Sequence, residues 1–309
     1  MKHVRLLACL LFALATDRAT AQVFAAPGDV LMTSRNGTDA VILVFDGEGN
    51  YKGDLVTLPE TEFSDLLFRD GIIYVGSRFP GSIERFSASG QSLGSFTPHH
   101  FIIPNFLSPG PGGTLLAAGA ADLYEFAPDG SLLRHRSAEL PAGGGIDLGT
   151  DGCTLFFATG MVGRWNACLN DTPTFFSPRY GGGADALRVL PDGTFLVAIV
   201  GNRRVLHLGA AGSVIRDYNI SGRGIALDPD RTSFWTVDSC LRHVDITTGM
   251  ILSSTCRGGG FAVAVVGEPR AGFAAAGVAP VPAASTVALM VIAATLGAIA
   301  LFRIRAMSF

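Results

Sequence analysis

The chain has 309 residues, and 23 Lys and Arg against 26 Asp and Glu give it a net charge of −3. A slightly acidic chain lacks the basic surface that binds phosphate backbones, so its composition argues against a nucleic-acid-binding protein. Apolar residues make up 48% of the chain and 39 positions are Gly. This composition excludes a disordered chain and indicates many tight turns.

Residues 1–21 predict a secretory signal peptide. Lys2 and Arg5 precede a ten-residue apolar stretch, and Ala19-Thr20-Ala21 supplies small residues for cleavage. The apolar stretch is too short to span a bilayer as a helix. A buried N-terminal helix is the alternative. With cleavage, the mature chain begins near Gln22.

The middle of the chain repeats with a period near 40 residues. Tight turns follow apolar runs, with steps of 43, 42, 39, 41 and 38 residues from one turn to the next. These turns are Pro27-Gly28-Asp29, Asp70-Gly71, Gly112-Gly113, Asp151-Gly152, Asp192-Gly193 and Asp230-Arg231. A second turn lies about half a period after each of them, as at Asp129-Gly130. Two turns per unit give about four short strands, which is typical of a propeller blade.

The runs between the turns predict strands of two kinds. The first run of a unit is almost wholly apolar, as in Ile72-Ile73-Tyr74-Val75, and this favours a strand covered on both faces. The second run alternates in part, as in Ser82-Ile83-Glu84-Arg85-Phe86, and this favours a half-buried strand nearer the outside.

Six units are present, and the ring has to close. The first unit lacks an inner strand before its turn, whereas Phe261–Val266 is an inner-strand sequence with little after it. We therefore predict that Phe261–Val266 is the inner strand of the blade whose outer strands span residues 30 to about 57. Such closure removes free sheet edges. The propeller then covers residues 22–270, followed by a Gly/Ala/Pro linker over 271–282.

One unit matches the sequence motif of a known repeat. Leu190-Pro191-Asp192-Gly193-Thr194-Phe195 and the later Gly201-Asn202-Arg203-Arg204-Val205 resemble the NHL repeat. Gly224-Ile225-Ala226-Leu227-Asp228-Pro229-Asp230 has the same opening in the next unit. With six units, the chain resembles NHL-like and SMP-30/gluconolactonase-like propellers. The resemblance implies an all-β, six-bladed β-propeller.

Residues 283–309 predict one transmembrane helix. An apolar stretch of about 20 residues is long enough to cross a bilayer, and Arg303 and Arg305 follow it. With the preceding Val281-Pro282-Ala283-Ala284-Ser285, this layout resembles the PEP-CTERM and IPTL-CTERM sorting signals of Gram-negative bacteria. The resemblance implies a sorting protease of the exosortase or rhombosortase type as partner. A permanent membrane anchor is the alternative, and both imply an exported chain at the cell envelope or surface.

Four cysteines outside the predicted signal peptide form two pairs. Each pair brackets a turn symmetrically, and cross-strand partners at equal distance from a hairpin turn lie within disulfide reach. We therefore predict the disulfides Cys153–Cys168 and Cys240–Cys256. The alternatives are free core thiols or a metal site, although no Cys-x-x-Cys spacing supports zinc.

Residues just before each inner strand are expected at one mouth of the central channel. Counting back seven residues from the first turns gives Phe63, Asn105, Gly144, Asp185 and Arg223, with Glu62 and Asp65 close by. The oxygen-bearing side chains of Glu62, Asn105 and Asp185 could hold Ca²⁺ or Mg²⁺. SMP-30-like lactonases use such a set to polarise a lactone carbonyl. Apart from this alternative, no cofactor is predicted.

Five arginines are candidates for binding anionic groups such as acidic sugars. They are Arg35, Arg78, Arg203, Arg204 and Arg223. The chain contains no Gly-x-Ser-x-Gly elbow, Walker loop or His-Glu-x-x-His motif, so no catalytic residue is predicted. Our interpretation is an exported, surface-associated propeller that binds an unknown surface ligand, such as a polysaccharide, or acts as a scaffold. The alternative is an SMP-30-like, divalent-metal-dependent lactone hydrolase, and binding without catalysis is favoured.

Overall fold

The computed structural model describes residues 23–98, 102–119, 122–136, 144–166, 168, 173–199 and 203–270. The predicted signal peptide, linker and C-terminal transmembrane segment lie outside these residues. Within the described ranges, no helix is both long and apolar enough to cross a membrane.

Short strands dominate the described chain, because its apolar runs are interrupted every few residues by turn-forming Gly, Asp and Asn. The first twelve strands are β1 Val30–Asn36, β2 Asp39–Phe45, β3 Tyr51–Leu58, β4 Glu62–Arg69, β5 Ile72–Phe79, β6 Ser82–Ser87, β7 Ser92–Ser95, β8 Phe106–Pro109, β9 Leu115–Gly119, β10 Asp122–Phe126, β11 Leu132–Arg136 and β12 Ile146–Leu148. The next twelve are β13 Thr154–Ala158, β14 Val162–Asn166, β15 Thr174–Phe175, β16 Ala184–Val189, β17 Phe195–Ile199, β18 Arg204–Leu208, β19 Val214–Asp217, β20 Gly224–Leu227, β21 Ser233–Val237, β22 Leu241–Asp245, β23 Ile251–Thr255 and β24 Gly260–Val265. A single-turn 3-10 helix, Pro111–Gly113, separates β8 from β9.

These strands form six four-stranded antiparallel sheets. From the inside outwards the sheets are β24-β1-β2-β3, β4-β5-β6-β7, β8-β9-β10-β11, β12-β13-β14-β15, β16-β17-β18-β19 and β20-β21-β22-β23, which we number as blades 1 to 6. The inner strand of each blade contacts the inner strand of the next, and β24 contacts both β4 and β20. The described chain is therefore a six-bladed β-propeller, as the repeat predicts.

Blade 1 is built from both ends of the propeller sequence. In β1, Val30 lies opposite Val265 and Leu31 opposite Ala264, both residues of β24. The predicted closure is confirmed, because the late strand supplies the inner position that the first unit lacks. Pairing the earliest strand with the latest one leaves no open junction in the ring.

Burial falls from the second strand of a blade to its outer edge. Every residue of β17 and β21 is buried, whereas most residues of β11 and β19 are exposed. The core clusters lie between neighbouring blades, and one of them packs Trp235 of blade 6 against Phe45 and Met32 of blade 1. The fully apolar runs are thus covered on both faces by adjacent blades.

The turn residues adopt the backbone conformations and hydrogen bonds expected of their residue types. Gly193, between β16 and β17, has a φ of 78°, which favours glycine. Beside it, Asp192 accepts a hydrogen bond from the backbone N–H of Thr194 at 3.0 Å, as in an Asx turn. Arg231 occupies the equivalent turn of blade 6 with a φ of 63°, so the motif tolerates a non-glycine residue there.

Both predicted disulfides are present. Cys153 and Cys168 flank the hairpin of β13 and β14, with a Cα–Cα distance of 5.3 Å. Cys240 and Cys256 flank the hairpin of β22 and β23 at 4.1 Å. In the second hairpin, the neighbouring residues Leu241 and Thr255 are cross-strand partners. The symmetric spacing about each turn was therefore a sufficient signal for the pairing.

Candidate functional site at the mouth of the central channel

A cavity of about 120 Å³ opens at the end of the central channel where the inner strands begin. We call this end the mouth. The polar residues that line the cavity are Ser64, Asp65, Arg78, Asn105, Asp185, Arg188 and Arg223. Apolar lining comes from residues of the inner strands, including Phe261 of β24 and Ile146 of β12. The cavity is therefore mainly polar, with two phenylalanines, Phe106 and Phe261, in its wall.

Two glycines keep the inner strands close together at the mouth. A Cβ on Gly224 would lie 2.8 Å from the backbone nitrogen of Val263 on the neighbouring strand. A Cβ on Gly145 would lie 2.4 Å from the backbone nitrogen of Leu187. Both residues line the cavity, so its narrow width depends on the absence of side chains at these positions.

Glu62 connects two arginines at the mouth. Its carboxylate accepts hydrogen bonds from Arg35 and from Arg78, each at 3.1 Å. Arg78 also donates through Nε to Oδ1 of Asn105 at 3.2 Å. Both arginine side chains are 45% exposed, so the pairing fixes one edge of each guanidinium and leaves much of the group open to solvent.

Arg223 and Asp185 form a second pair across the mouth. Arg223 donates through Nε to Oδ2 of Asp185 at 3.3 Å, and its guanidinium lies 5.0 Å from the centre of the Phe261 ring. Stacking on an aromatic face orients a guanidinium while leaving its other N–H groups available. Burial raises the pKa of Asp185, and the positive charges of Arg223 and Arg78 offset part of that rise.

A second set of charged side chains is mostly shielded from solvent, and two of its members, Asp65 and Arg188, also line the cavity. Glu268 accepts hydrogen bonds at Oε1 from the backbone N–H of Leu227 at 2.9 Å and from Nε of Arg188 at 3.0 Å. Nε of Arg270 lies 3.5 Å from Glu268 Oε2 and 3.8 Å from Asp147 Oδ1. We call Asp65, Asp147, Arg188, Glu268 and Arg270 the axial cluster.

Each carboxylate of the axial cluster joins two neighbouring inner strands. Asp65 on β4 accepts the N–H of Leu107 on β8 at 2.6 Å, and Asp147 on β12 accepts the N–H of Val189 on β16 at 2.9 Å. The bond from Leu227 to Glu268 does the same beside β20. The cluster therefore stabilises blade junctions through buried charge-assisted hydrogen bonds.

The axial cluster contains three acids and two bases that are largely shielded from solvent. Burial raises the pKa of Asp65 and of Asp147, despite the nearby positive charges of Arg188 and Arg270. Burial and then the neighbouring Arg188 lower the pKa of Arg270. Among the described residues, none hydrogen-bonds to the three guanidinium nitrogens of Arg270 or to Asp147 Oδ1.

The structure gathers most, but not all, of the sequence-predicted site residues. Asn105, Asp185, Arg78 and Arg223 line the cavity at the mouth. Glu62 and Arg35 adjoin it, because Glu62 accepts hydrogen bonds from both Arg78 and Arg35. Arg204 instead pairs with Asp217 of the next strand, with Nε 2.7 Å from Oδ2, and does not line the cavity. Arg203 is an exposed residue directly before β18 and is also absent from the lining.

Phe63 was expected at the mouth, but it packs into the core cluster shared by blades 1 and 2. The reason is an irregularity of the β4–β5 pairing, which shifts register between Phe63 and Leu66. Gly144 is likewise replaced in the cavity wall by its neighbour Gly145. Counting seven residues back from each turn therefore locates the residues of the mouth to within one position.

The three residues predicted to hold a divalent ion each accept a hydrogen bond from an arginine in this arrangement. Glu62 and Asn105 accept from Arg78, and Asp185 accepts from Arg223. A metal ion would have to displace both guanidinium groups, so the set as arranged does not fit one. Within the described ranges, no group of three or more His, Cys, Asp or Glu side chains could hold a metal ion.

Blade 6 contains an Asp–His–Ser group that sequence reasoning did not identify. Nε2 of His243 lies 2.5 Å from Oδ2 of Asp228 and 2.9 Å from Oγ of Ser233. Trp235 donates to Asp228 at 2.8 Å and stacks on the His243 ring. Because Asp228 and Ser233 share one imidazole nitrogen, the histidine cannot relay a proton as in a nucleophile triad. The group orders the strands of blade 6.

The fold defines the class of protein as a six-bladed β-propeller, with a mainly polar cavity in its central channel. No protein-family model and no curated protein matches the sequence. Among solved structures, a chain of a nidogen/laminin complex is similar at 12% identity and a TM-score of 0.63, covering 78% of this chain and 100% of that one. A protein of unknown function from Bacteroides caccae is similar at 13% identity and 0.60, covering 79% and 100%. The WD40 β-propeller domain of Doa1 is similar at 15% identity and 0.55, covering 74% and 79%. At these identities the likeness concerns the fold alone.

Proposed function

We propose that the protein is an exported, surface-associated binding module whose mouth takes an acidic carbohydrate. The observation that carries this proposal is the trio Arg35, Arg78 and Arg223, each held along one edge and partly exposed. A guanidinium binds a carboxylate through a planar pair of N–H donors. Because these side chains are already ordered by Glu62 and Asp185, less conformational entropy is lost when a ligand binds.

The remaining residues of the mouth suit the hydroxyl groups of a sugar. Asn105, Glu62 and Asp185 present acceptor oxygens beside the arginine donors, and sugar hydroxyls both donate and accept. The Phe261 ring adds an apolar face. The partly exposed arginines lie at the mouth, so we expect the ligand to enter and leave there. A small, mainly polar cavity accommodates one sugar unit better than a large apolar ligand.

Isothermal titration with galacturonic acid, with glucose as the neutral control, tests the proposal. We expect galacturonic acid to bind and glucose to bind at least about tenfold more weakly, because only the former carries a carboxylate. Arg78→Gln and Arg223→Gln should each weaken binding about tenfold or more. Arg204→Gln is the matched control and should leave the affinity unchanged, since Arg204 lies outside the cavity. Equal binding of both sugars, or an equal loss in all three variants, would contradict the proposal.

A lactone hydrolase is the second candidate. Glu62, Asn105 and Asp185 lie at the same mouth, which favours this function. Each of the three already accepts a hydrogen bond from an arginine, which argues against it. Gluconolactone hydrolysis measured with Ca²⁺, with Mg²⁺ and with a chelator separates the two functions. We expect the same slow rate as in buffer under all three conditions. Chelator-sensitive turnover that Asp185→Asn abolishes would favour the hydrolase.

We also propose that the chain is exported and at least transiently anchored in the envelope of a Gram-negative cell through residues 283–309. The two disulfides support an oxidising compartment. Intact-mass analysis of protein from envelope and cytoplasmic fractions tests this proposal. We expect an envelope species that begins near Gln22 and has two disulfides, and its C-terminal mass decides between a cleaved sorting signal and a permanent anchor. A cytoplasmic, reduced chain that begins at Met1 would refute export.

A further inference from the structure

Two chain segments run side by side from the mouth outwards over blades 2 and 3. At the axial end Arg78 contacts Asn105, with Nε 3.2 Å from Oδ1. Farther out, the backbone N–H of Ile102 donates to the carbonyl of Gly81 at 3.4 Å. These contacts join residues 78–81 and 102–105 at both ends, and we call the pair of segments the shelf.

The shelf exposes two large apolar side chains next to a charged site. Phe79 is 64% exposed and is the most exposed large apolar side chain in the described part of the chain, and Ile103 is 60% exposed. Most of the other exposed large apolar residues lie on the outer edge strands, where low burial is general. Phe79 instead ends β5, opposite Glu62 in the register of blade 2. Phe79 and Ile103 lie on segments that these contacts join, so both exposed side chains adjoin the charged site.

The charges around the shelf complement an acidic ligand. Arg78 precedes Phe79 directly, and Arg35 approaches from blade 1 to share Glu62 with it. The shelf is therefore continuous with the arginines of the mouth through Arg78. A chain of sugar units with a carboxylate on each unit offers both apolar ring faces and negative charges to such a surface.

We infer that the ligand is an acidic oligosaccharide or polysaccharide chain, with one unit in the mouth and the following units along the shelf, where one packs on Phe79. This inference rests on the proposed function and extends it from one sugar unit to a chain. It assigns to Phe79 and Ile103 a contact that a single sugar in the mouth does not make. Affinity should therefore rise with chain length.

Isothermal titration with galacturonic acid and with hexagalacturonate tests the inference on the wild type, Phe79→Ala and Phe24→Ala. Phe24 is the matched control, because it is also a highly exposed phenylalanine, at 56%, but lies outside the shelf. Maltohexaose serves as a neutral chain of the same length. We expect hexagalacturonate to bind the wild type at least about tenfold more tightly than the single sugar.

Phe79→Ala should remove about tenfold of the hexamer affinity and leave the affinity for the single sugar unchanged. Phe24→Ala should change neither, and maltohexaose should bind far more weakly than the acidic hexamer. If the single sugar binds but the hexamer gains nothing, or if Phe79→Ala loses nothing, the inference is wrong and the proposed function stands. If neither acidic ligand binds the wild type, both are wrong.

Discussion

The mouth and the axial cluster contain the same kinds of charged residues in opposite environments. At the mouth, the side chains of Arg223 and Asp185 are 37% and 32% exposed and meet at 3.3 Å. In the axial cluster, those of Arg188 and Glu268 are 7% and 5% exposed and meet at 3.0 Å. Water screens the first pair and is largely excluded from the second. Removing one partner should therefore cost less free energy of unfolding at the mouth than in the axial cluster.

This difference in exposure assigns separate roles to the mouth and to the axial cluster. Breaking a buried pair leaves an uncompensated charge, whereas breaking an exposed pair exposes a charge that water solvates. The axial cluster is therefore expected to determine the stability of the ring, and the mouth to bind a ligand through the N–H groups that its internal pairs leave open. Three predictions test this division, from the largest expected effect to the smallest.

Glu268→Ala should lower the free energy of unfolding by about 3–5 kcal/mol, because it leaves Nε of Arg188 and the N–H of Leu227 without their acceptor and removes a carboxylate that pairs with the charge of Arg270. Urea unfolding followed by fluorescence measures this loss. Glu48→Ala, at an exposed turn position, is the control and should change stability by less than about 0.5 kcal/mol. Equal losses in the two variants would mean that the cluster does not stabilise the ring.

Asp65→Asn should change how stability depends on pH. Burial raises the pKa of Asp65 in the folded protein, against the charges of Arg188 and Arg270 and the N–H groups of Leu107 and Leu66. The acid therefore favours the folded state fully below its unfolded pKa, near 3.8, and loses that contribution as pH rises through the folded pKa. Urea unfolding from pH 4 upwards should show the wild type losing stability relative to Asp65→Asn. A difference that is constant or reversed with pH would contradict this account.

Arg223→Gln should lower the free energy of unfolding by less than about 1 kcal/mol, because its pair with Asp185 is partly exposed. The same urea experiment applies. If Arg223→Gln lowers the free energy of unfolding as much as Glu268→Ala does, the mouth also stabilises the ring. That result would contradict the separate roles of the mouth and the axial cluster.

The sequence was most informative where a feature is local or repeats. Turn pairs such as Asp192-Gly193 set the period of the blades, and the missing strand before Val30 pointed to Phe261–Val266. The two disulfides followed from spacing about a turn. Asn105, Asp185 and Arg223 were located by counting, since each precedes or opens an inner strand.

The axial cluster was missed because its members come from distant units and meet only in the closed ring. Glu268 and Arg270 follow the last predicted strand and belong to no repeated motif. A signal was nevertheless available. Asp147 and Arg188 are charged residues inside runs expected to be covered on both faces, as in Ala186-Leu187-Arg188-Val189-Leu190, and a buried charge requires a partner. The pairing of Glu62 with two arginines could not be read from spacing, because it depends on side-chain directions across blades 1 and 2.

Arginine-selective modification with phenylglyoxal tests the mouth and the axial cluster in one experiment. The modification is quantified by peptide mass spectrometry with and without saturating galacturonic acid. Our account predicts that Arg35, Arg78 and Arg223 react and are protected by the sugar. The exposed Arg203 should react equally in both samples, and the buried Arg188 and Arg270 should react in neither. Reaction of Arg270 at the rate of Arg223, or reaction of the three mouth arginines at the same rate with and without the sugar, would contradict it.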